Sequence, residues 1–248
     1  IWCVALGLAL AGSMFRHSHA EATSPTQAVS PVAQALLQGI ESRFSGVTTI
    51  EARFAQVRLH PDFDDRTESN GHLYIQMPDR VRCEYDRPTP STVLFVDDVF
   101  YQYTPSLKQV DMTRFASPEE AKHHLRTMLL GFGLSSAEVL DSYAVKETDG
   151  PPEGAQGADT RLVGLIFTPL REEVARAFVE FCVWFDPERL TPRKVRIVEV
   201  GGDVITLTVE SLKIDEPIAP ERFRAEFPAD AEVIDHSAPV QEGVEAQP

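Results

Sequence analysis

The sequence lacks the short motifs that mark common catalytic and phosphate-binding sites. There is no C-x-x-C, no H-E-x-x-H, no G-x-S-x-G and no Walker-type phosphate loop. The adjacent His123 and His124 fall on a predicted helix, where neighbouring side chains point about 100° apart and are poorly placed to chelate one ion. Asp97 and Asp98 fall in a predicted turn. We therefore predict no catalytic residues, no metal site and no cofactor, and we expect the protein not to be an enzyme.

Positive charge is also scarce. The chain has 23 Lys and Arg against 38 Asp and Glu, which gives a formal net charge of −15. Nucleic acids and anionic membrane surfaces both favour Lys and Arg, so the acidic balance argues against either as a direct partner. Solubility alone would also account for it.

No apolar run is long enough to cross a bilayer, which takes roughly 20 residues. The longest candidate, Ile1 to Leu10, is followed by small residues up to Ala20. This pattern predicts a secretory signal over residues 1–20 whose start is missing, with a polar linker at 21–30. The alternative is a buried N-terminal helix. Arg16 leaves the cleavage position open.

Cysteine is rare, with three in the chain. Cys3 falls in the predicted signal, which leaves Cys83 and Cys182, each within a strand pattern. An exported protein can oxidise such a pair, provided that the Cα atoms lie within about 7 Å. Buried thiols also occur as small hydrophobes, so both a disulfide and two unbonded thiols are possible, and the second is the expectation.

The stretch from Gly71 to Pro105 predicts a four-stranded antiparallel meander. Apolar and polar residues alternate along it, as in strands with one buried and one solvated face. Prolines mark the strand breaks, and Asp97-Asp98 forms a hairpin turn. The residues predicted on the apolar face of the first two strands are Leu73, Ile75, Met77, Val81, Cys83 and Tyr85.

Two helices are predicted, and residues 135–141 can add a further helical turn or two. Ser30 caps the first, which begins at Pro31 and carries an apolar stripe of Val32, Leu36, Ile40 and Phe44, widened by Leu37. The second covers Ala116 to Phe132 and has an apolar end. The residues at this end are Met128, Leu129, Leu130 and Phe132.

The remaining strands surround the meander. The first is predicted at Thr48 to Leu59, with Ile50, Ala52 and Phe54 on one face, followed by a charged loop over 60–70. Further strands are predicted at 109–112, 143–147, 162–168, 178–185, 193–200 and 204–212, and the last at Phe223 to Phe227. About ten strands with two or three helices predict a mainly β (α+β) fold: a strongly curved antiparallel sheet with helices over its concave side. We assign the domain to residues 31–235 and an acidic tail to 236–248.

The order of these motifs resembles the outer-membrane lipoprotein carrier (LolA) family of the bacterial periplasm. The shared features are a short apolar strand, Pro78, an aromatic-rich strand, Pro88, and a hairpin ending in aromatics and Pro105. Ala52 to Gln56 (ARFAQ) and Phe185-Asp186-Pro187 continue the similarity, which covers most of the chain from Pro31 to Asp235.

The resemblance implies an unclosed half β-barrel under a helical lid. It implies a periplasmic, monomeric chaperone that holds the acyl chains of lipoproteins and shuttles them from the inner to the outer membrane. An inner-membrane ABC-type lipoprotein-releasing complex would load the cargo and an outer-membrane acceptor would take it. The implied cavity lining is Ile50, Phe54, Leu73, Ile75, Met77, Val81, Cys83 and Tyr85, and the implied lid is Met128, Leu129, Leu130 and Phe132.

Two inward positions depart from the family pattern, as does the hairpin, where Asp97-Asp98 replaces the family's Asp-Gly without a functional consequence. Met77 stands where members commonly have an arginine that bonds to the lid, and Cys83 replaces a larger inward residue. Closure would then depend on apolar contact, and the cavity would have more room. A carrier of other amphiphiles such as glycolipids is therefore an alternative, as is a lipoprotein-sensing regulatory module on the same fold.

Overall fold

A computed structural model describes residues 29–63, 65–128, 134–176 and 178–237, without the side chains at 123, 126–128, 158 and 173. The predicted signal, most of the linker and the tail after residue 237 lie outside these ranges. So do Leu129, Leu130, Phe132 and the side chain of Met128, which form the predicted lid.

The described residues form a twelve-stranded curved sheet that does not close. The strand order is β12-β6-β5-β4-β3-β2-β1-β11-β10-β9-β8-β7, so β12 and β7 are the edges. The strands are β1 Thr49–His60, β2 Asp65–Gln76, β3 Arg80–Arg87, β4 Ser91–Val96, β5 Val99–Thr104, β6 Gln109–Arg114, β7 Tyr143–Glu147, β8 Val163–Pro169, β9 Phe178–Phe185, β10 Pro192–Glu199, β11 Val204–Ile214 and β12 Glu232–Asp235. The predicted mainly β, strongly curved antiparallel sheet is confirmed.

The predicted meander corresponds to β2 to β5. Its hairpin turns at Asp97 and Asp98, which both adopt positive φ (53° and 59°). Aspartate tolerates this left-handed region, and a turn with positive φ at both residues matches the twist of the flanking strands.

Two strand predictions are wrong. The expected charged loop over 60–70 is mostly strand, because β2 pairs with β1 along its whole length, from Thr49 opposite Gln76 to His60 opposite Asp65. Backbone hydrogen bonds to β1 make this segment a strand although it lacks an apolar face. Its polar side chains lie exposed or half-buried at the outer end of the hairpin. The strand expected at 223–227 does not form either: a 3-10 turn covers Pro220–Phe223 instead.

The last strand is β12, which pairs parallel with β6 from Glu232 opposite Gln109 to Asp235 opposite Met112. It covers one edge of the sheet, at a place where the sequence predicted no strand. Covering an edge satisfies backbone groups that would otherwise be open to pairing with another chain.

The helices are α1 Pro31–Phe44, α2 Pro118–Met128, α3 Ser136–Ser142 and α4 Glu172–Ala175. The Ser30 hydroxyl accepts a bond from the Ala33 N–H (3.0 Å) and donates one to the Glu147 carboxylate on β7 (2.5 Å). Ser135 and Glu138 form a capping box at α3. The predicted cap at Ser30 is confirmed. At the start of α2 the Glu120 N–H donates to the Ser117 hydroxyl at 3.2 Å.

The inner face of the sheet, together with the helices, forms the main hydrophobic core. Side chains from every strand except β6 and β12 meet Ala33 and Leu37 of α1 and Ala121 and Leu125 of α2 there. The predicted apolar stripe of α1 is wrong at one residue, Val32, which is 67% exposed. The buried face of α1 is instead centred on Ala33 and Leu37, with Leu36, Ile40 and Phe44 flanking it.

On the outer face, the segment after β11 crosses the meander and packs through Phe223 on Tyr74, Leu94 and Val96. The guanidinium of Arg222 lies 4.7 Å from the Tyr74 ring centre. A cation over an aromatic face is attracted by the ring quadrupole, so the segment is held by charge as well as by apolar contact.

Candidate functional site

The predicted lining residues lie in rows that run across β1, β2 and β3. Strand register places Ile50 opposite Ile75, and Ile75 opposite Val81. One pair of residues further along, Leu73 lies between Ala52 and Cys83. Because side chains alternate along a strand, each row points to one face.

Phe54 and Tyr85 form the third row, on either side of Gly71. Their rings meet edge to face with 5.3 Å between centroids. The Tyr85 hydroxyl donates a bond to the Gln56 amide oxygen at 3.3 Å. Gln56 is therefore a buried polar side chain, 6% exposed, whose oxygen has a partner on the neighbouring apolar wall.

The structure thus brings all eight predicted lining residues to one surface. Seven are at most 7% exposed, and Met77, just beyond β2, packs partly buried against the same cluster. Their role in holding an acyl chain stays a prediction. The Met77 N–H donates to the Thr48 carbonyl (2.8 Å), which holds its side chain beside the start of β1.

The opposite half of the inner face is aromatic, and sequence reasoning did not place it in the site. Phe167 and Phe181 stack with centroids 4.6 Å apart, and Phe178 and Tyr143 meet Phe181 edge-on. The alternation in β8 and β9 carried this information, since Phe181, Val183 and Phe185 fall on one side of β9. Burial raises the pKa of Tyr143 to about 12.

Helix α2 covers the inner face near the β4–β5 hairpin. Ala121 and Leu125 are at most 5% exposed, and the His124 ring lies between Phe115 (4.8 Å) and Phe100 (5.6 Å). Helix α1 is tied to other elements by polar bonds: Ser30 bonds to Glu147, and Glu41 accepts from the Ser136 hydroxyl on α3 at 2.5 Å.

A charged end closes the inner face beyond Gln56. We use this name for Arg58, His60, Glu199 and Asp203. Arg58 Nη2 lies 3.0 Å from Glu199 Oε1, Arg58 Nη1 lies 3.0 Å from Asp203 Oδ2, and His60 Nδ1 lies 2.8 Å from the same Asp203 oxygen. The four side chains are 15–27% exposed. Burial raises the pKa of Glu199, and the positive charge of Arg58 opposes that rise.

The sequence pattern could have placed one residue of this end, Arg58, on the inner face. The inward parity of β1 runs through Ile50, Ala52, Phe54 and Gln56 and continues to Arg58, which faces Ile205 across the β1–β11 ladder. Arg58 lies within the predicted strand that ends at Leu59, whereas the predicted loop over 60–70 contains His60 and so leaves it out of the sheet.

Cys83 and Cys182 do not pair with each other. Cys83 lies in the inner core cluster, whereas Cys182 lies on the outer face with Leu162 and Trp184. Burial, with the nearby Glu180 charge, raises the pKa of Cys182 to about 12. The expectation of two buried thiols not joined to one another is confirmed.

Over the described residues, no three or more His, Cys, Asp and Glu side chains gather where they could hold a metal ion. The same part of the chain contains no helix with the length and apolar character needed to cross a membrane.

Comparison with known proteins identifies the family. The model of the outer membrane lipoprotein carrier protein LolA matches residues 45–226, which include the whole predicted lining. The chain belongs to this family. The resemblance carried by the meander is therefore confirmed.

Relatives of the LolA family match at low identity but over most of their length. An outer-membrane lipoprotein carrier protein of Chromohalobacter salexigens is 26% identical over 217 residues, covering 86% of this chain and 94% of the relative. Another, from Alkalilimnicola ehrlichii, is 25% identical over 192 residues, covering 77% and 80%.

A solved structure from Thermus thermophilus, described as an uncharacterised conserved protein, shares the fold. It aligns with a TM-score of 0.51 at 13% identity, covering 82% of this chain and 99% of that one. At that identity the likeness concerns the fold alone.

Proposed function

We propose that this protein is a periplasmic carrier that shields the acyl chains of lipoproteins against its inner face and moves them from the inner to the outer membrane. The observation that carries the proposal is the convergence of the eight lining residues on one continuous apolar surface of a LolA-family sheet. The names of the relatives support the same function.

The energetics require such a surface. Exposing an acyl chain of about sixteen carbons to water costs on the order of 12 kcal/mol, at about 0.8 kcal/mol per methylene. A lipoprotein with several chains therefore needs an apolar shield to cross an aqueous compartment. The shield must also open, because the inner-face residues are almost fully covered in this structure.

Helix α2 is the element that we propose to move. It packs on the inner face through Ala121 and Leu125, and its His124 ring lies between Phe115 and Phe100. Displacing α2 would uncover Phe100, which ends the row of Ile75, Val81 and Phe95. The direction of transfer, the ABC-type loading complex and the outer-membrane acceptor remain part of the proposal.

Mass spectrometry of material that co-purifies with the native protein tests the proposal. We expect acylated lipoproteins, and recovery of unacylated proteins alone would contradict it. In parallel, the delipidated protein should bind a fluorescent palmitoylated peptide and not the same peptide without its acyl group.

A variant with a bulkier side chain on the inner face tests where the acyl chain binds. Cys83→Phe adds a ring at the centre of the lining and should weaken binding of the palmitoylated peptide about tenfold or more, since the ring occupies the site of the chain. Val179→Phe is the matched control, because Val179 is 52% exposed on β9. Equal affinity in both variants would show that acyl chains bind elsewhere.

A further inference from the structure

The charged end lies on the same face as the apolar rows. Arg58 is opposite Ile205 on β11, and Ile205 is opposite Ile197 on β10, both of which belong to the inner core cluster. Along β10, Glu199 follows Ile197 at the same parity. A ligand lying along β1 therefore passes from apolar side chains to charged ones without leaving the face.

An amphiphile fits such a surface in one orientation. Its chains lie on the apolar rows and its polar head reaches the charged end, because a charged group without a polar partner is costly to cover. At the other end of the rows, Ile50, Ile75 and Val81 are apolar and at most 3% exposed.

The net charge of the charged end determines which polar head groups of amphiphiles can bind there. Arg58 contributes +1 and the ionised carboxylates of Glu199 and Asp203 contribute −2, so these three side chains together carry −1. An anionic phosphate head is repelled, whereas a neutral peptide head is not. The Arg58 guanidinium has five N–H donors, of which its bonds to Glu199 and Asp203 use one on each terminal nitrogen. Donors remain for ester and amide carbonyl oxygens, and the carboxylates can accept from peptide N–H groups.

Resting on the proposed carrier function, we propose that Arg58, His60, Glu199 and Asp203 bind the neutral peptide head of an acylated protein and discriminate against anionic phospholipids with the same chains. This assigns the cargo's ester and backbone amide groups to the charged end. It also gives the carrier a means to reject the lipids that surround its cargo in the membrane.

The test compares two probes with identical acyl chains. One is an uncharged peptide with an amidated C-terminus, whose N-acetylated N-terminal cysteine carries dipalmitoylglycerol, and the other is dipalmitoylphosphatidylglycerol. The measured quantity is the ratio of their dissociation constants for the full chain. The wild type should prefer the lipopeptide. The Glu199→Gln, Asp203→Asn double variant reverses the charge of the end and should shift the ratio toward the phospholipid by about tenfold or more.

Glu210→Gln is the matched control. Glu210 pairs with Arg53 at 3.0 Å between β1 and β11, but at an exposed site away from the inner face. Its ratio should equal that of the wild type. Asp203→Asn alone, which keeps the Arg58–Glu199 pair, serves if the double variant unfolds, and it should shift the ratio in the same direction.

The outcomes separate the two proposals. An unchanged ratio in the double and single variants, with the lipopeptide still bound, overturns the head site and leaves the carrier function intact. Failure of the wild type to bind either probe overturns both.

Discussion

The ring of Phe54 lies against Gly71, the residue opposite it on β2. A Cβ atom at Gly71 would stand 2.9 Å from Phe54 Cζ and 2.1 Å from the Glu84 carbonyl oxygen on β3. The glycine is thus required by the close approach of a side chain and a neighbouring backbone, at a place where the β2–β3 register shifts.

Gly71→Ala should therefore destabilise the protein by about 3 kcal/mol, since the added methyl group overpacks a fixed wall. Urea unfolding measures the loss. Gly201→Ala is the control, because nothing lies within 4 Å of its added Cβ, and it should change stability by no more than about 0.5 kcal/mol. A similar midpoint for both variants would show that the β2–β3 contact relaxes freely.

Met77→Arg should alter cargo release more than folding. Met77 is partly buried beside the inner cluster, so we expect a stability change below about 1 kcal/mol. An arginine here can bond to the covering helix and favour the closed form, which should speed release of a palmitoylated peptide severalfold. Stopped-flow dilution gives the rate. Met77→Leu keeps the apolar contact and should release at the wild-type rate. Identical rates for the two variants would show that an arginine at this position does not hold the covering helix closed.

Glu199 should make stability depend on pH. Its folded pKa is raised above the ordinary value of 4.5 by burial, so above about pH 4.5 the folded protein binds more protons than the unfolded chain. The free energy of unfolding contributed by this group therefore falls as pH rises through the folded pKa.

Glu199→Gln removes that contribution. Between pH 4.5 and about pH 7 the wild type should lose more stability, or gain less, than the variant when both are unfolded with urea at each pH. Parallel pH profiles would contradict the assigned shift.

The thiols should be unreactive in the folded protein. Cys83 is 0% exposed, and the pKa of Cys182 is raised to about 12, so little thiolate is present near pH 8. In a Cys3→Ser chain, Ellman's reagent should react slowly without denaturant and at once in guanidinium chloride. A rapid native reaction would show that one strand opens, and the absence of reaction in denaturant would indicate a disulfide.

The amino-acid sequence alone specified the meander, the inward residues and the family. Period-two alternation at Leu73, Ile75, Val81 and Tyr85 fixes which side chains share a face, because a one-residue slip would expose them all. Proline and acidic turn residues mark where strands stop, as at Asp97-Asp98. These signals are local, so they can be recognised in the sequence without knowing which strands pair.

Pairing between strands distant in the sequence determined the features that local patterns did not predict. The polar half of the β1–β2 hairpin forms because backbone pairing does not require apolar side chains, and β12 forms because the β6 edge is there to pair with it. The charged end depends on β10, β11 and β1 lying side by side, which brings Glu199 to Arg58 across 141 positions of sequence. Such contacts join residues that carry no local signal, so the folded sheet was needed to place them.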